Sequence, residues 1–295
     1  MKSFEYRKVS TLEEAFRLFQ EYGEGAKILA GGTDLFIQMR NRTLQPEILV
    51  DLKGIPGMDQ VSYDQASGLR IGTLTSIHRL ETSPLLQEKF GVIAQAASSL
   101  GSYQIRWRAT IGGNLCNASP AADMIPGLIS LGAKVRIAGA GGERSMAVED
   151  FFAGPGRSNL RPGEILAEVQ IPTPSSPTGG CYLKHSVRKA MDLAVVGVAV
   201  AFSFDPGLQK CQEVKIALGA VGPIPFRAIR AETMLRGKKV DEGLISQTAH
   251  LATEEARPIS DIRAGGEYRR EMVRVLTHRA LKQAWRNLGE GRTPA

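Results

Sequence analysis

Two glycine pairs constrain this chain more than any other feature of it. Gly31-Gly32 follows the short apolar run Lys27-Ile28-Leu29-Ala30, and Gly112-Gly113 follows Ala109-Thr110-Ile111. Five such pairs occur, beginning at Gly31, Gly112, Gly141, Gly179 and Gly265, but only the first two sit between an apolar strand and a polar residue that opens a helix. Without Cβ atoms, such a turn lets main-chain N–H groups approach an anion, and a following helix N-terminus adds favourable partial charge. Hydroxyl and amide groups at Thr33, Thr110, Asn114 and Asn117 can complete contacts to phosphate and sugar. Taken singly, each turn is better explained by packing alone. Two in one chain point to a large ligand with a diphosphate, which spacing does not name.

The surrounding pattern is α/β at first. Thr11 and Glu14 make a capping-box pattern ahead of a helix that ends at Gly23. Strands are expected at 27–30 and 47–52, with a helix at 35–40 between them. Further on we expect a strand at 69–72, one helix over 84–100 and another over 121–131. Short strands at 133–137 and 145–148 flank a hairpin tip at Gly139–Gly142, and a strand covers 165–171. Pro172-Thr-Pro-Ser-Ser-Pro-Thr-Gly-Gly180 reads as a linker, because three prolines and two glycines oppose regular structure. Beyond it lie long apolar strands at 193–204 and 214–220, then two or three amphipathic helices from Ala228 onward, one of them over 268–288. The reading is α/β plus α+β, in units of 1–55, 56–175 and 181–290.

Several function classes are excluded. No HExxH, GxSxG or Walker A pattern is present, and the four histidines (His78, His185, His250 and His278) lack metal-ligand spacing. Gly139-Ala-Gly141 begins like a dinucleotide fingerprint, but Arg144 occupies the third glycine position. Cys116, Cys181 and Cys211 form neither a disulfide framework nor a CxxC pair. No apolar run is long enough to span a bilayer and the N-terminus lacks a signal-peptide pattern, so a cytoplasmic location is expected. The net charge is +7, and the stretch from Arg227 onward holds 14 Lys/Arg against 9 Asp/Glu. Arg269 and Arg270 there suggest a docking surface for an acidic protein partner. Aromatic interleaving of the kind that stacks bases is absent, so nucleic acid is not the expected partner.

The segments AGGTDLF at 30–36 and TIGGNLCNASPAAD at 110–123 resemble the FAD-binding medium subunit of the molybdenum hydroxylases. That group includes bacterial xanthine dehydrogenase, carbon monoxide dehydrogenase and related oxidoreductases. YLKHSVR at 182–188 with DLAV at 192–195, GPIPFRA at 222–228, and PISDIR at 258–263 with EYRR at 267–270 continue the likeness over essentially the whole chain. The resemblance implies a two-subdomain, PCMH-like FAD-binding fold followed by a C-terminal antiparallel sheet with helices.

It also implies a flavin between the first two units, closed by the third. Its first loop maps to Ile28, Leu29, Ala30, Gly31, Gly32, Thr33, Asp34 and Leu35. The second maps to Thr110, Ile111, Gly112, Gly113 and Asn114, with Asn117 and Asp123 further along. Leu100 and Leu166 fall where the family has residues beside the isoalloxazine, and Lys184 matches a lysine at the flavin. No catalytic side chain and no metal ligand is implied in this chain. Molybdopterin and [2Fe-2S] clusters are expected on partners only, an iron–sulfur small subunit and a molybdopterin large subunit, in a dimer of heterotrimers. The activity implied is oxidoreduction, with electrons passed from partner clusters through FAD to an external acceptor. Thr33, where carbon monoxide enzymes often carry His, favours a purine or other N-heterocycle as substrate. The competing reading is a stand-alone FAD-dependent oxidoreductase.

Overall fold

Three sheets of three, five and four strands organise the chain, each raised from a different residue pattern. The computed structural model describes residues 2–176, 178–205 and 210–289. The first sheet uses β1 (Glu5–Lys8), β2 (Ala26–Leu29) and β3 (Ile48–Asp51), with helices α1 (Leu12–Tyr22) and α2 (Leu35–Arg40) between them. Central β3 runs parallel to both neighbours, and all four of its residues are buried, as a strand covered on both faces requires. Helix α1 starts where Thr11 Oγ1 accepts the Glu14 N–H, and it stops at Gly23, whose φ is +51°. Glu14 reaches back to the Ser10 N–H, one residue beyond the cap.

The second sheet is antiparallel, in the order β4 (Val61–Asp64), β5 (Gly68–Gly72), β10 (Ile165–Ile171), β6 (Lys134–Gly139), β7 (Gly142–Ala147). The small pair β8 (Phe152–Gly154) and β9 (Arg157–Ser158) precedes β10. Between β5 and β6 lie six short helices: α3 (Ile77–Thr82), α4 (Pro84–Lys89), α5 (Gly91–Ser98), α6 (Tyr103–Arg108), α7 (Ile111–Cys116) and α8 (Met124–Ser130). The single helix expected over 84–100 is therefore two. Phe90 leaves helical geometry at φ −135°, ψ 43°, to bury its ring against Tyr63 at 5.6 Å, and Gly91 restarts the helix. The helix expected from 121 begins only at Met124, and α8 is buried on every side.

The third sheet is antiparallel in the order β11 (Thr178–His185), β12 (Val196–Phe204), β13 (Cys211–Gly219), β14 (Phe226–Arg227). Helices α9 (Ile229–Leu235), α10 (Glu242–Glu255) and α11 (Gly266–Gly289) follow. Here the linker reading is corrected, because Gly179 and Gly180 belong to β11. A Cβ on Gly179 would stand 2.3 Å from the Ala284 carbonyl oxygen, so this glycine serves close packing of α11 on the sheet and not a loop. Arg269 is corrected as well. It is 1% exposed, and its guanidinium donates to the Val195 and Ala220 carbonyls at 3.0 Å and to Asp261 at 2.7 Å. It pins α11 to the sheet and offers nothing to a partner, whereas Arg270 is exposed.

Helices α5 and α8 are shared between layers. They pack on β11, β12 and β13 on one side, and the core of the second sheet continues through them to Tyr182, Ala199 and Ala217. Among the described residues no helix is long and apolar enough to cross a membrane.

Candidate functional site

The first glycine turn is built with its N–H groups free. β2 ends at Leu29, and the chain turns through Gly32 at φ +76°, a conformation that glycine adopts without steric cost. Gly31 meets the loop before α7 so closely that a Cβ would lie 2.0 Å from the Arg108 carbonyl oxygen. Lys53 holds the turn from behind, donating to the Ala30 carbonyl at 3.0 Å and pairing with Asp51 at 2.7 Å. Burial pushes the Asp51 carboxyl up, but Lys53 and the Tyr6 hydroxyl outweigh it and keep it below its ordinary value. The main-chain N–H groups of Gly31, Gly32, Thr33 and Asp34 find no acceptor among the described residues. Unused main-chain donors on successive residues of a turn are what an anionic group requires.

The second turn differs from its expected role. Gly112 N–H donates to Thr73 O at 2.9 Å, and Gly113 N–H to Thr110 Oγ1 at 3.0 Å. Ile111 N–H donates to Thr75 O at 3.0 Å. A Cβ on Gly112 would fall 1.7 Å from Thr73 Oγ1, so that glycine exists for packing. What this turn presents is side chains. Asn114 Oδ1 is buried without a hydrogen-bond partner, an arrangement that costs free energy unless a ligand supplies the donor.

Between the turns lies a cavity of about 670 Å³, within the range of roughly 300–1,000 Å³ common for ligand pockets. Of the residues expected at the site, Ile28, Ala30, Gly31, Gly32, Thr33, Asp34, Leu35, Leu100, Thr110, Gly112, Gly113, Asn114, Asn117, Asp123 and Leu166 all line it. Leu29, Ile111 and Lys184 do not. Leu29 turns into a small core with Met39 and Leu49, and Ile111 is buried in the main core of the second layer. Leu166 is presented to the cavity by a bulge in β10, where the register with β6 slips between Leu166 and Glu168. The lining residues include no Lys or Arg.

Lys184 acts from behind the wall. Its ammonium donates to Asp123 Oδ2 and to the Ser99 carbonyl, both at 2.9 Å, while Tyr182 donates its hydroxyl to Asp123 Oδ1 at 2.8 Å. Burial pushes the Asp123 carboxyl above its ordinary value, and Lys184 and Tyr182 offset this only in part. Burial and the adjacent Asp123 carry the Tyr182 phenol well above its ordinary value, so it stays a donor. Tyr182 and Lys184 are two apart on β11 and so share a face. That spacing is the signal by which sequence reasoning had access to Tyr182 and missed it. The loop after β11 was not assigned to the site either, although DLAV at 192–195 belongs to the motifs of the resemblance. Its Met191 N–H donates to the Gly101 carbonyl at 3.0 Å, and Met191, Asp192 and Leu193 close the cavity.

Nothing here is a nucleophile or a metal cage. Burial pushes the Cys116 thiol in the cavity wall up to about 12. No group of His, Cys, Asp and Glu among the described residues could hold a metal ion. With unused N–H donors at one turn, an orphaned amide oxygen at the other and leucines in the same lining, the site suits a ligand that carries both an anionic and an apolar part.

Residues 2–174 match the family model for the FAD binding domain in molybdopterin dehydrogenase, and 181–284 match the CO dehydrogenase flavoprotein C-terminal domain. The chain is 32% identical to the glyceraldehyde dehydrogenase medium chain of Sulfolobus acidocaldarius, over 95% of this chain and 98% of that protein. It is 33% identical to the carbon monoxide dehydrogenase medium chain of Afipia carboxidovorans, over 96% of each. Its structure superposes with a TM-score of 0.92 on a chain of carbon monoxide dehydrogenase from Hydrogenophaga pseudoflava. That chain is 31% identical, and the match covers 97% of this chain and 99% of that one.

Proposed function

Because this chain belongs to the FAD-binding medium subunits of the molybdenum hydroxylase family, we propose that it is the electron-transfer subunit of a multi-subunit oxidoreductase. In this reading it receives electrons from iron–sulfur clusters on a small partner subunit and delivers them to an external acceptor such as NAD, a quinone or dioxygen. Molybdopterin resides on a large partner subunit, and the assembly is a dimer of heterotrimers. FAD supplies a ring that takes electrons singly and releases them in pairs. The protein's own residues bind and orient it. The N–H groups of Gly31 to Asp34 would hold the diphosphate, which the absence of lining Lys or Arg leaves to main-chain donors. Asn114 and Asn117 would meet the polar part at the second turn, and Leu100 and Leu166 would flank the ring. Lys184 and Tyr182 keep Asp123 fixed in the wall.

The observation that carries this reading is the pairing of a turn with four unused N–H donors and a cavity lining without Lys, Arg or His, which leaves an anionic group to main-chain donors. The substrate we propose, a purine or other N-heterocycle, rests on Thr33 alone. The test is anaerobic addition of hypoxanthine, an aldehyde or carbon monoxide to the purified complex and to the purified chain. Flavin bleaching in the complex, with none in the chain alone, is expected for one of these substrates, hypoxanthine on the present reading. Bleaching of the chain's flavin by substrate without any partner would replace this reading with a stand-alone oxidoreductase.

A further inference from the structure

Lys53 does not line the cavity, yet its ammonium touches the turn that does. β3 ends at Asp51, which is 2% exposed and fixes this lysine twice. Asp51 Oδ1 accepts the Lys53 main-chain N–H at 2.9 Å and its ammonium at 2.7 Å. The other carboxylate oxygen is occupied by the Tyr6 hydroxyl of β1, which donates at 2.5 Å. Held in this way, the ammonium also donates to the Ala30 carbonyl at 3.0 Å. The peptide to which that carbonyl belongs carries the Gly31 N–H. In a trans peptide the N–H lies on the edge opposite the carbonyl, so the Gly31 N–H points away from the ammonium. It is the first of the four unused donors, and Gly31 lines the cavity. A carbonyl that accepts from a charged donor polarises its peptide and makes the N–H on the opposite edge a stronger donor.

We propose that Lys53 is a positioning residue for the anionic part of the ligand, acting through the Ala30–Gly31 peptide, which it orients and polarises toward the diphosphate. The proposal rests on the FAD-binding reading above. A diphosphate in the cavity meets no cation directly, because the lining holds no Lys, Arg or His. The peptide behind the first turn is then the route by which a positive charge reaches it. Lys184 does not take the same part, although it too donates to a main-chain carbonyl, that of Ser99. The N–H across that peptide, of Leu100, is already given to the Ala97 carbonyl at 3.1 Å. Lys184 also faces the cavity through Asp123, a group of opposite charge. The competing account of Lys53 is an ordinary surface ion pair with Asp51, which contributes little to stability and predicts no effect on the ligand.

The test uses the full chain as wild type, Lys53→Met and Lys53→Arg, each freed of flavin and titrated with FAD. Phosphorus NMR and visible spectra of the bound FAD are recorded on the same samples. Lys53→Met is expected to raise the FAD Kd about tenfold or more, the scale of one hydrogen bond to a charged group. The diphosphate resonances of its bound FAD should move while the visible band stays in place. The flavin-free Tm should stay near that of the flavin-free wild type. Lys53→Arg keeps a cation within reach of the same carbonyl and is expected to return the Kd to within about threefold of wild type. Lys53→Gln removes the charge and keeps a donor, and it carries the same expectation as Lys53→Met should that chain not fold. An unchanged Kd on loss of the charge overturns the proposal, as does failure of Lys53→Arg to recover affinity. So does a visible band displaced together with the diphosphate resonances, which would mean that the ring itself is reseated. A flavin-free Tm that falls in step with affinity would make Lys53 a structural residue and likewise overturn it. Wild-type FAD binding with no difference among the variants overturns the role of Lys53 alone. A wild-type chain that takes up no FAD overturns the reading beneath it too.

Discussion

Single side chains decide whether the cavity wall holds its shape. Asp123 is 6% exposed and is answered by two donors, Lys184 and Tyr182, both from the third sheet. Removing the hydroxyl in Tyr182→Phe deletes one bond and keeps the ring, which should cost roughly 1–2 kcal/mol in denaturant unfolding. Lys184→Met leaves a buried carboxylate without its counter-charge and should cost about 3–5 kcal/mol. The reverse order would show that Asp123 is not held as a charged group. Asp261 supports a pH prediction. Bonds from Arg263, together with Arg269, hold its carboxyl well below the usual range even though partial burial opposes them. A depressed folded value stabilises the fold above the unfolded value, near 3.9, and that contribution fades as pH falls below it. The Tm gap between the wild type and Asp261→Asn should therefore be constant from neutral pH down to about pH 4 and shrink below that. A gap that closes at higher pH would contradict the assignment.

At the scale of elements, the two glycine turns share a sequence pattern and do different work. Gly112→Val forces a side chain into Thr73 and should destabilise the fold by ~1–3 kcal/mol or more. Gly113 lines the cavity, and its Cβ would meet only Thr110 Oγ1 at 3.0 Å. Gly113→Val should therefore lose flavin while its Tm stays near that of the flavin-free wild type, as measured by released cofactor and thermal melts on the same samples. Equal effects in both would mean that the turns are equivalent after all. From sequence the turns read as twins, because strand, glycines and helix recur, whereas the Gly112 and Ile111 N–H groups are taken by Thr73 and Thr75, distant in the chain. The same distinction runs through the fold. α2 at 35–40 and β10 at 165–171 were legible at their true bounds, since apolar spacing and flanking breakers are local. β1 is exposed along its length and carries Glu5, Arg7 and Lys8, so no alternation betrays it. The break at Phe90 and the strand through Gly179 and Gly180 follow from what packs against them, Tyr63 and α11, and that information is not local.

Across the whole molecule, the site depends on all three layers at once. The first sheet supplies the open turn, the second supplies Asn114 and the leucines, and the third supplies the Asp123 anchors and the closing loop. The shared helices α5 and α8 make the second and third layers one packed body, through a core that runs from Leu69 to Ala217, while the first layer joins through the cluster in which Ile48, Val50 and Leu52 meet Leu74 and Ile165. Motifs spread over the length of the chain were enough to read this architecture and fifteen of the residues that line the cavity. The resemblance implied Lys184 at the flavin, whereas the fold sets it behind the wall, bonded to Asp123. The central claim is that these three layers converge to bind FAD. The most direct measurement is the visible absorption spectrum of the purified full chain, with the cofactor released by denaturation and identified. Our account predicts a flavin spectrum and released FAD at close to one per chain. A colourless chain that also fails to take up added FAD would contradict it.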